Sequence, residues 1–286
     1  MIKHLTEIVE EARKKGRKRL AVAYGQDSHT LEAVYNAYKE GLVEPTLYGD
    51  KEVIEQVCRD NDIDIKVFNI VNEPNDVKCV QQAVAAVVAG NADVLMKGLV
   101  STDKYMRGIL NKDAGLFPPK GVLSHVSIVE MKSYHKLLVI SDVAVIPLPD
   151  FKQKMKQIGY LSATANLLGI TTPKIACIAP SEQVLPNVIS STEGALLAKM
   201  ADRGQLGNVV VDGPLSLDVA LYKEVAEHKK VKGSSVAGDP DCLLFPNLES
   251  ANVFFKCASH LCGGELAAMV MGTKVPGVLT SRGDTS

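Results

Sequence analysis

Residues 77–110 read VKCVQQAVAAVVAGNADVLMKGLVSTDKYMRGIL. The Ala- and Val-rich stretch Val77–Ala89 has helical length and stops at Gly90. Val94–Met96 follows as a short buried strand, and Lys97-Gly98 ends it just before a second helical stretch, Thr102–Leu110. Helices of roughly ten residues or more that alternate with short, continuously apolar strands are the signature of βαβ units and of a sheet covered on both faces. The same alternation runs toward the N-terminus. Leu20–Tyr24, Thr46–Tyr48 and Ile65–Ile70 read as strands, and Ser28–Glu40 and Lys51–Asp60 as helices.

Beyond residue 120 the pattern changes. Leu123–Glu130 and Leu137–Ile146 are strand-like runs separated only by Met131–Lys136, which is too short for a crossover helix. They predict an antiparallel pair within an otherwise parallel sheet. Helices over Phe151–Leu168, Thr192–Arg203, Leu217–His228 and Glu249–Leu261 then alternate with strands Ile175–Ile178, Val209–Val211, Cys242–Phe245 and Val278–Thr280. Phe117-Pro118-Pro119-Lys120-Gly121 reads as a hinge from which a second α/β domain starts.

Composition narrows the function classes. In 286 residues, 32 Lys and Arg against 33 Asp and Glu leave a net charge of −1, so no general attraction to nucleic acid or an anionic membrane is expected. The longest apolar stretches, Ala83–Ala89 and the interrupted Leu137–Leu148, fall short of the ~20 residues that cross a bilayer. Met1–Lys18 alternates charged and apolar positions without a signal-peptide core, which points to a cytoplasmic protein. The six cysteines form no CxxC pair and the six histidines no HExxH or HxxxH pattern. The cysteines read as small buried hydrophobes, and no metal is expected.

In open α/β sheets ligands gather beyond the carboxyl ends of the strands, where loops and helix N-termini present unpaired backbone N–H groups. Five strands here run into polar or glycine-containing loops: Lys97-Gly98-Leu99-Val100-Ser101-Thr102, Ala179-Pro180-Ser181-Glu182, Asp212-Gly213-Pro214-Leu215-Ser216, Pro246-Asn247 and Ser281-Arg282-Gly283-Asp284. Taken singly, each has a plainer reading: Lys97 as a solvated lysine, Asp212-Gly213 as a turn, Ser216 as a helix N-cap. Together they offer cations, hydroxyls and backbone donors, but no Ser–His or Cys–His pair. That set suits holding a phosphate or acyl phosphate. The phosphate loop GxxxxGK and the dinucleotide fingerprint GxGxxG are both missing.

Several of these segments resemble the phosphate acetyl/butyryl transferase family. They are Ala92–Gly98 with Ser101-Thr102, Ser141-Asp142-Val143-Ala144-Val145-Ile146-Pro147, Asp212–Asp218, Leu244–Asn252 and Lys274–Asp284. They occur in family order over nearly the whole chain. The wording Met96-Lys97-Gly98 and Leu279-Thr280-Ser281-Arg282 is similar to the butyryl branch. The resemblance implies a two-domain α/β enzyme with the fold of isocitrate and isopropylmalate dehydrogenases, mostly parallel sheets with one antiparallel pair, and a cleft between the domains. Residues 1–118 plus 270–286 would form domain one and 119–269 domain two, in a homodimer or higher homo-oligomer. Acyl-CoA and inorganic phosphate would be the substrates, with coenzyme A a substrate and no permanently bound cofactor.

The implied reaction is attack of a thiolate on an acyl phosphate, or of phosphate on a thioester. A thiol of pKa ~8.5 is mostly protonated at neutral pH and needs a base or a cation nearby. The tetrahedral oxyanion and the departing phosphate both need donors aimed at them. By the resemblance, Arg282 would clamp phosphate oxygens bidentately and Ser281 would hydrogen-bond the carbonyl oxygen. Arg107 falls where the acetyl branch carries an arginine implicated in coenzyme A binding; the plain alternative is a solvated helix charge. Lys97, Gly98, Ser101 and Thr102 would line the cleft from domain one, and Asp212, Gly213, Asn247 and Asn252 from domain two. The acetyl branch has an aspartate seven residues after the motif serine, two positions beyond Ser286; either a longer chain supplies it or Asp284, which matches the butyryl pattern, is the base. His260 stands where the acetyl branch has another arginine. The alternatives are a phosphate acetyltransferase using acetyl-CoA, a non-catalytic acyl-CoA or acyl-phosphate binding protein, and a decarboxylating dehydrogenase of the same fold. The last would need a metal-binding aspartate cluster and a nicotinamide loop, and neither is in the sequence.

Overall fold

The computed structural model describes residues 1–279. It divides into two compact units, one of residues 9–121 and 269–279, the other of residues 1–8 and 122–268. The break at 121/122 falls at the hinge segment. The first eight residues do not belong with the segment that follows them, as the 1–118 expectation had it. Glu130 accepts the Leu5 N–H at 2.7 Å and bonds His4 Nδ1 at 2.7 Å, and the Ile2 N–H reaches the Leu168 carbonyl.

The chain opens with α1 (Leu5–Lys14), β1 (Lys18–Ala23), α2 (Ser28–Lys39), β2 (Val43–Gly49), α3 (Lys51–Asp60), β3 (Asn69–Asn72), α4 (Asp76–Val88), β4 (Val94–Lys97) and α5 (Thr102–Leu110). It continues with β5 (Ser124–Glu130), β6 (Leu138–Ser141), α6 (Phe151–Leu167), β7 (Lys174–Ile178), α7 (Ile189–Asp202), β8 (Val210–Leu215), α8 (Leu217–Leu221), α9 (Lys223–His228), β9 (Cys242–Leu244) and α10 (Leu248–Lys256). Last come β10 (Glu265–Met271) and β11 (Gly277–Val278). The helix starts are written locally. Asp27, Asp50, Asn75, Ser101, Asp150 and Asn247 each accept a backbone N–H from the first turn of the helix they precede.

In the first unit the strand order is β3-β2-β1-β4-β11, every neighbouring pair parallel, with β10 antiparallel to β11 through Val270 and Gly277. Leu20, Val22, Leu31, Leu47 and Ile54 are central to its core. In the second unit the order is β5-β6-β9-β7-β8, antiparallel only between β5 and β6. The protein is thus an α/β fold of mostly parallel strands, with β5 and β6 in the antiparallel pairing that the short Met131–Lys136 link demands. Leu138, Ile140, Val219, Leu243 and Ala251 anchor the second core.

Three expectations are corrected and one strand is added. Ile65–Val67 is a 3₁₀ turn rather than strand, because the Asp64 carboxylate captures the Lys66 N–H, and pairing begins only at Asn69. The helix expected over Leu217–His228 breaks at Tyr222: the Gly238 N–H takes the carbonyls of Val219 and Ala220, which would otherwise continue the helical ladder. The helix expected to reach Leu261 stops at Lys256 and passes into a π turn, Cys257–Leu261. Strand β10 has no counterpart in the sequence reading, since Glu, Leu, Ala and Met are helix formers and only Val270 is β-branched. Of the cysteines, Cys58, Cys79, Cys177 and Cys242 are buried as expected, whereas Cys257 is half-buried and Cys262 exposed.

Candidate active site

In the first unit, Lys97 ends β4 with its side chain buried, and its Nζ donates to the Gly98 carbonyl at 3.1 Å. Gly98 lies against the end of β1. Its N–H bonds the Ala23 carbonyl, and a Cβ there would fall 2.8 Å from the Tyr24 carbonyl carbon and 2.9 Å from Gly25 Cα. Only glycine lets the two strand ends approach this closely. Ser101 caps α5, its Oγ accepting the Lys104 N–H at 3.4 Å, and Thr102 opens the helix in an exposed position. Lys97, Gly98, Ser101 and Thr102 therefore form one strand-to-helix loop.

Arg107 is one to two turns further along α5. Its Nε pairs with Asp103 at 3.1 Å, and both side chains are largely exposed. It lines a groove of about 780 Å³ between α4 and α5 whose walls include Val80, Val84 and Val88. Loop residues 97–101 do not line that groove.

In the second unit, Asp212 and Gly213 lie within β8 beside Cys177 of β7. Asp212 Oδ1 accepts the Gly213 N–H at 2.8 Å, and a Cβ on Gly213 would sit 2.6 Å from Cys177 Cβ. Burial, with the Asp212 carboxylate adding to it and Lys154 opposing, pushes the Cys177 thiol up to about 12. It stays protonated at neutral pH and is no thiolate nucleophile. Lys154 of α6 pairs in the interior with Glu193 of α7, their side chains only 5% and 18% exposed. Ser216 precedes α8, yet its hydroxyl makes no cap. It turns to Glu182 at 3.4 Å and receives Lys229 Nζ at 3.3 Å.

Asn247 caps α10 by accepting the Ser250 N–H at 2.9 Å. Asn252, on the same helix, donates from Nδ2 to the Val143 carbonyl at 3.0 Å. The structure thus ties α10, which Asn247 caps, to the segment after β6 through Asn252. His260 is exposed in the π turn beyond α10. Ser281, Arg282 and Asp284 lie outside the described residues.

Sequence reasoning passed over two groups. Asp142 is one: an aspartate directly after an apolar strand is a signal visible in the sequence, and in the fold its buried carboxylate accepts the Ala144 and Val145 N–H groups at 3.0 Å each. Lys154 was missed although it shares the spacing of Ile158, Leu161 and Ala165 on the apolar face of α6. Among the described residues no group of His, Cys, Asp or Glu could hold a metal ion, and no helix is long and apolar enough to cross a membrane.

Comparison with known proteins adds to this geometry. The sequence matches the family described as phosphate acetyl/butaryl transferase over residues 4–82 and 73–286. It is 41% identical over 285 residues to the phosphate butyryltransferase of Clostridium acetobutylicum, a span of 100% of this chain and 94% of that one. It is 38% identical over 281 residues to the phosphate acetyltransferase of Thermotoga maritima, covering 98% and 94% of the two chains. The crystal structure of a branched-chain phosphotransacylase from Enterococcus faecalis V583 superposes with a TM-score of 0.82 at 27% identity, over 94% of this chain and 93% of that one. With a match along its whole length, the chain belongs to the phosphate acetyl/butyryl transferase family.

Proposed function

We propose that this protein transfers a short acyl group, butyryl or a similar chain, reversibly between coenzyme A and inorganic phosphate. A phosphate oxygen attacks the thioester carbonyl, the C–S bond breaks, the phosphate proton passes to the departing sulfur, and acyl phosphate and the coenzyme A thiol result; in the reverse direction the thiol gives up its proton, its sulfur attacks the acyl phosphate, and phosphate leaves. The 41% identity to a phosphate butyryltransferase along the entire chain carries this reading. Acetyl transfer is the second reading, favoured by the 38% identity to a phosphate acetyltransferase.

In this proposal the enzyme has two domains in an isocitrate dehydrogenase-like arrangement with the substrate cleft between them, as the family resemblance implies. Arg282 holds the phosphate oxygens, Ser281 the developing oxyanion, and Asp284 accepts the thiol proton. Lys97, Gly98, Ser101 and Thr102 contribute to substrate binding, as do Asp212, Gly213, Asn247 and Asn252; Arg107 and His260 are candidate contacts to coenzyme A or phosphate. A homodimer working in the cytoplasm belongs to the same reading.

The test is thiol release from acetyl-, propionyl-, butyryl- and isobutyryl-CoA with and without phosphate. Phosphate-dependent release is expected, fastest with butyryl- or isobutyryl-CoA, and its absence with every thioester leaves a binding protein instead. Arg282→Lys and Ser281→Ala are expected to lower kcat by ~100-fold or more, the usual loss when one aimed donor is removed. Near-wild-type turnover in both variants overturns the assigned roles.

A further inference from the structure

The segment between β6 and α6 remains without a role. After Asp142 it reads Val143-Ala144-Val145-Ile146-Pro147-Leu148-Pro149, with no charged or hydrogen-bonding side chain. Ala144, Pro147 and Leu148 are exposed, Leu148 to 76%, while Val145 and Ile146 are half-buried.

An exposed apolar loop ordinarily has little to fix it, yet this one is pinned. The buried Asp142 carboxylate accepts the Ala144 and Val145 N–H groups at 3.0 Å on Oδ1, and the Ile146 N–H at 3.2 Å on Oδ2. Ser124, fully buried on β5, donates its hydroxyl to the same Oδ2 at 2.9 Å, and Gln157 reaches Ser124 at 3.4 Å. From the other side, Asn252 holds the Val143 carbonyl at 3.0 Å, and the Leu248 N–H holds the Pro147 carbonyl at 2.9 Å. A rigid apolar surface at the carboxyl end of a strand, tied to the helix that carries Asn247 and Asn252, is built to meet hydrocarbon without being ordered first.

We propose that residues 144–148 are the surface that receives the acyl chain and sets its preferred length, with Asp142 and Ser124 as positioning residues. This rests on the acyl-transfer reading above. Bulk added at Ala144 shortens the space for the chain, and loss of Leu148 removes apolar contact; both penalise butyryl more than acetyl.

The experiment measures kcat/KM for acetyl-CoA and butyryl-CoA, KM for phosphate and thermal stability in wild type, Ala144→Leu, Leu148→Ser, Asp142→Asn and Ser124→Ala. In Ala144→Leu and Leu148→Ser the butyryl-to-acetyl ratio is expected to fall about tenfold, the scale of one methylene in a pocket. The phosphate KM is expected to stay unchanged. Asp142→Asn is expected to lower the same ratio mainly through the butyryl-CoA KM; if it fails to fold, Ser124→Ala, which removes one bond to the same carboxylate, is read instead. An active enzyme whose ratio moves in neither Ala144→Leu nor Leu148→Ser, or in which the phosphate KM moves in step with that of the thioester, overturns the assignment. A wild-type enzyme without phosphate-dependent thiol release overturns the acyl-transfer reading itself.

Discussion

Gly98 shows how much can rest on one missing Cβ. Its neighbours are not a side chain that can swing away but the Tyr24 carbonyl group and Gly25 Cα, at the point where β1 and β4 run parallel. Gly98→Ala must push those strand ends apart. A loss of about 1–3 kcal/mol is expected, the usual cost of overpacking. It should be read as a lower denaturant midpoint. An unchanged midpoint would show that the loop has more room than its contacts imply. The need for glycine is hard to see in the sequence. Met96-Lys97-Gly98 signals a strand end, but that the strand beside it ends in Tyr24-Gly25 is a tertiary fact.

Among the elements, α6 and α7 are joined by the Lys154–Glu193 pair, buried against Cys177 and the Gly194 turn of α7. Removing one partner of a buried pair leaves an uncompensated charge, typically a loss of ~3–5 kcal/mol. Lys154→Met alone is therefore expected to be strongly destabilising, and Lys154→Met with Glu193→Leu to recover much of the loss; urea unfolding of the two variants decides it. Equal instability in both would mean that packing, not charge, is what the pair supplies. The elements were largely legible because their signals are local. Caps such as Asp50 and Asn75 and the short link between β5 and β6 act within a few residues. The break at Tyr222 was not legible, since its cause, Gly238, lies sixteen residues further along. The candidate site was legible as a set of loops, and Arg107 illustrates the limit. Its place in the family pattern pointed to coenzyme A, and only the fold shows that the helical turn directs it into the α4–α5 groove and onto Asp103.

Across the whole molecule, each unit carries a carboxylate held well below its usual range. Hydrogen bonds from the Arg19 side chain and backbone keep Asp93 at about 2. For Asp239 burial pulls upward, but the hydrogen bonds of Lys136 and Lys174 outweigh it and also hold the group at about 2. A carboxylate whose folded pKa lies below its unfolded value of ~3.9 stabilises the fold fully above that value, and the contribution disappears as pH falls toward the folded one. Tm is thus expected to fall between about pH 4 and pH 2, modestly, because both side chains are more than a third exposed and solvent screens them. Asp239→Asn is expected to lower Tm at pH 7 and to flatten the acid limb. A variant whose acid limb is as steep as that of wild type would remove Asp239 from the explanation.

What the sequence determined by itself follows from interactions between near neighbours: the strand–helix alternation, the capped helix starts, the antiparallel pair and the motifs that mark the family. Tertiary structure alone decided that Glu265–Met271 is a strand, that Lys154 is buried against Glu193, and that the apolar segment after Asp142 is pinned by Ser124 and Asn252. Periodicity and capping are set by hydrogen bonds across three or four residues, so they can be read along the chain. Strand pairing, burial of a charge and the bracing of a loop are settled by groups tens of residues away, whose proximity exists only once the chain has folded.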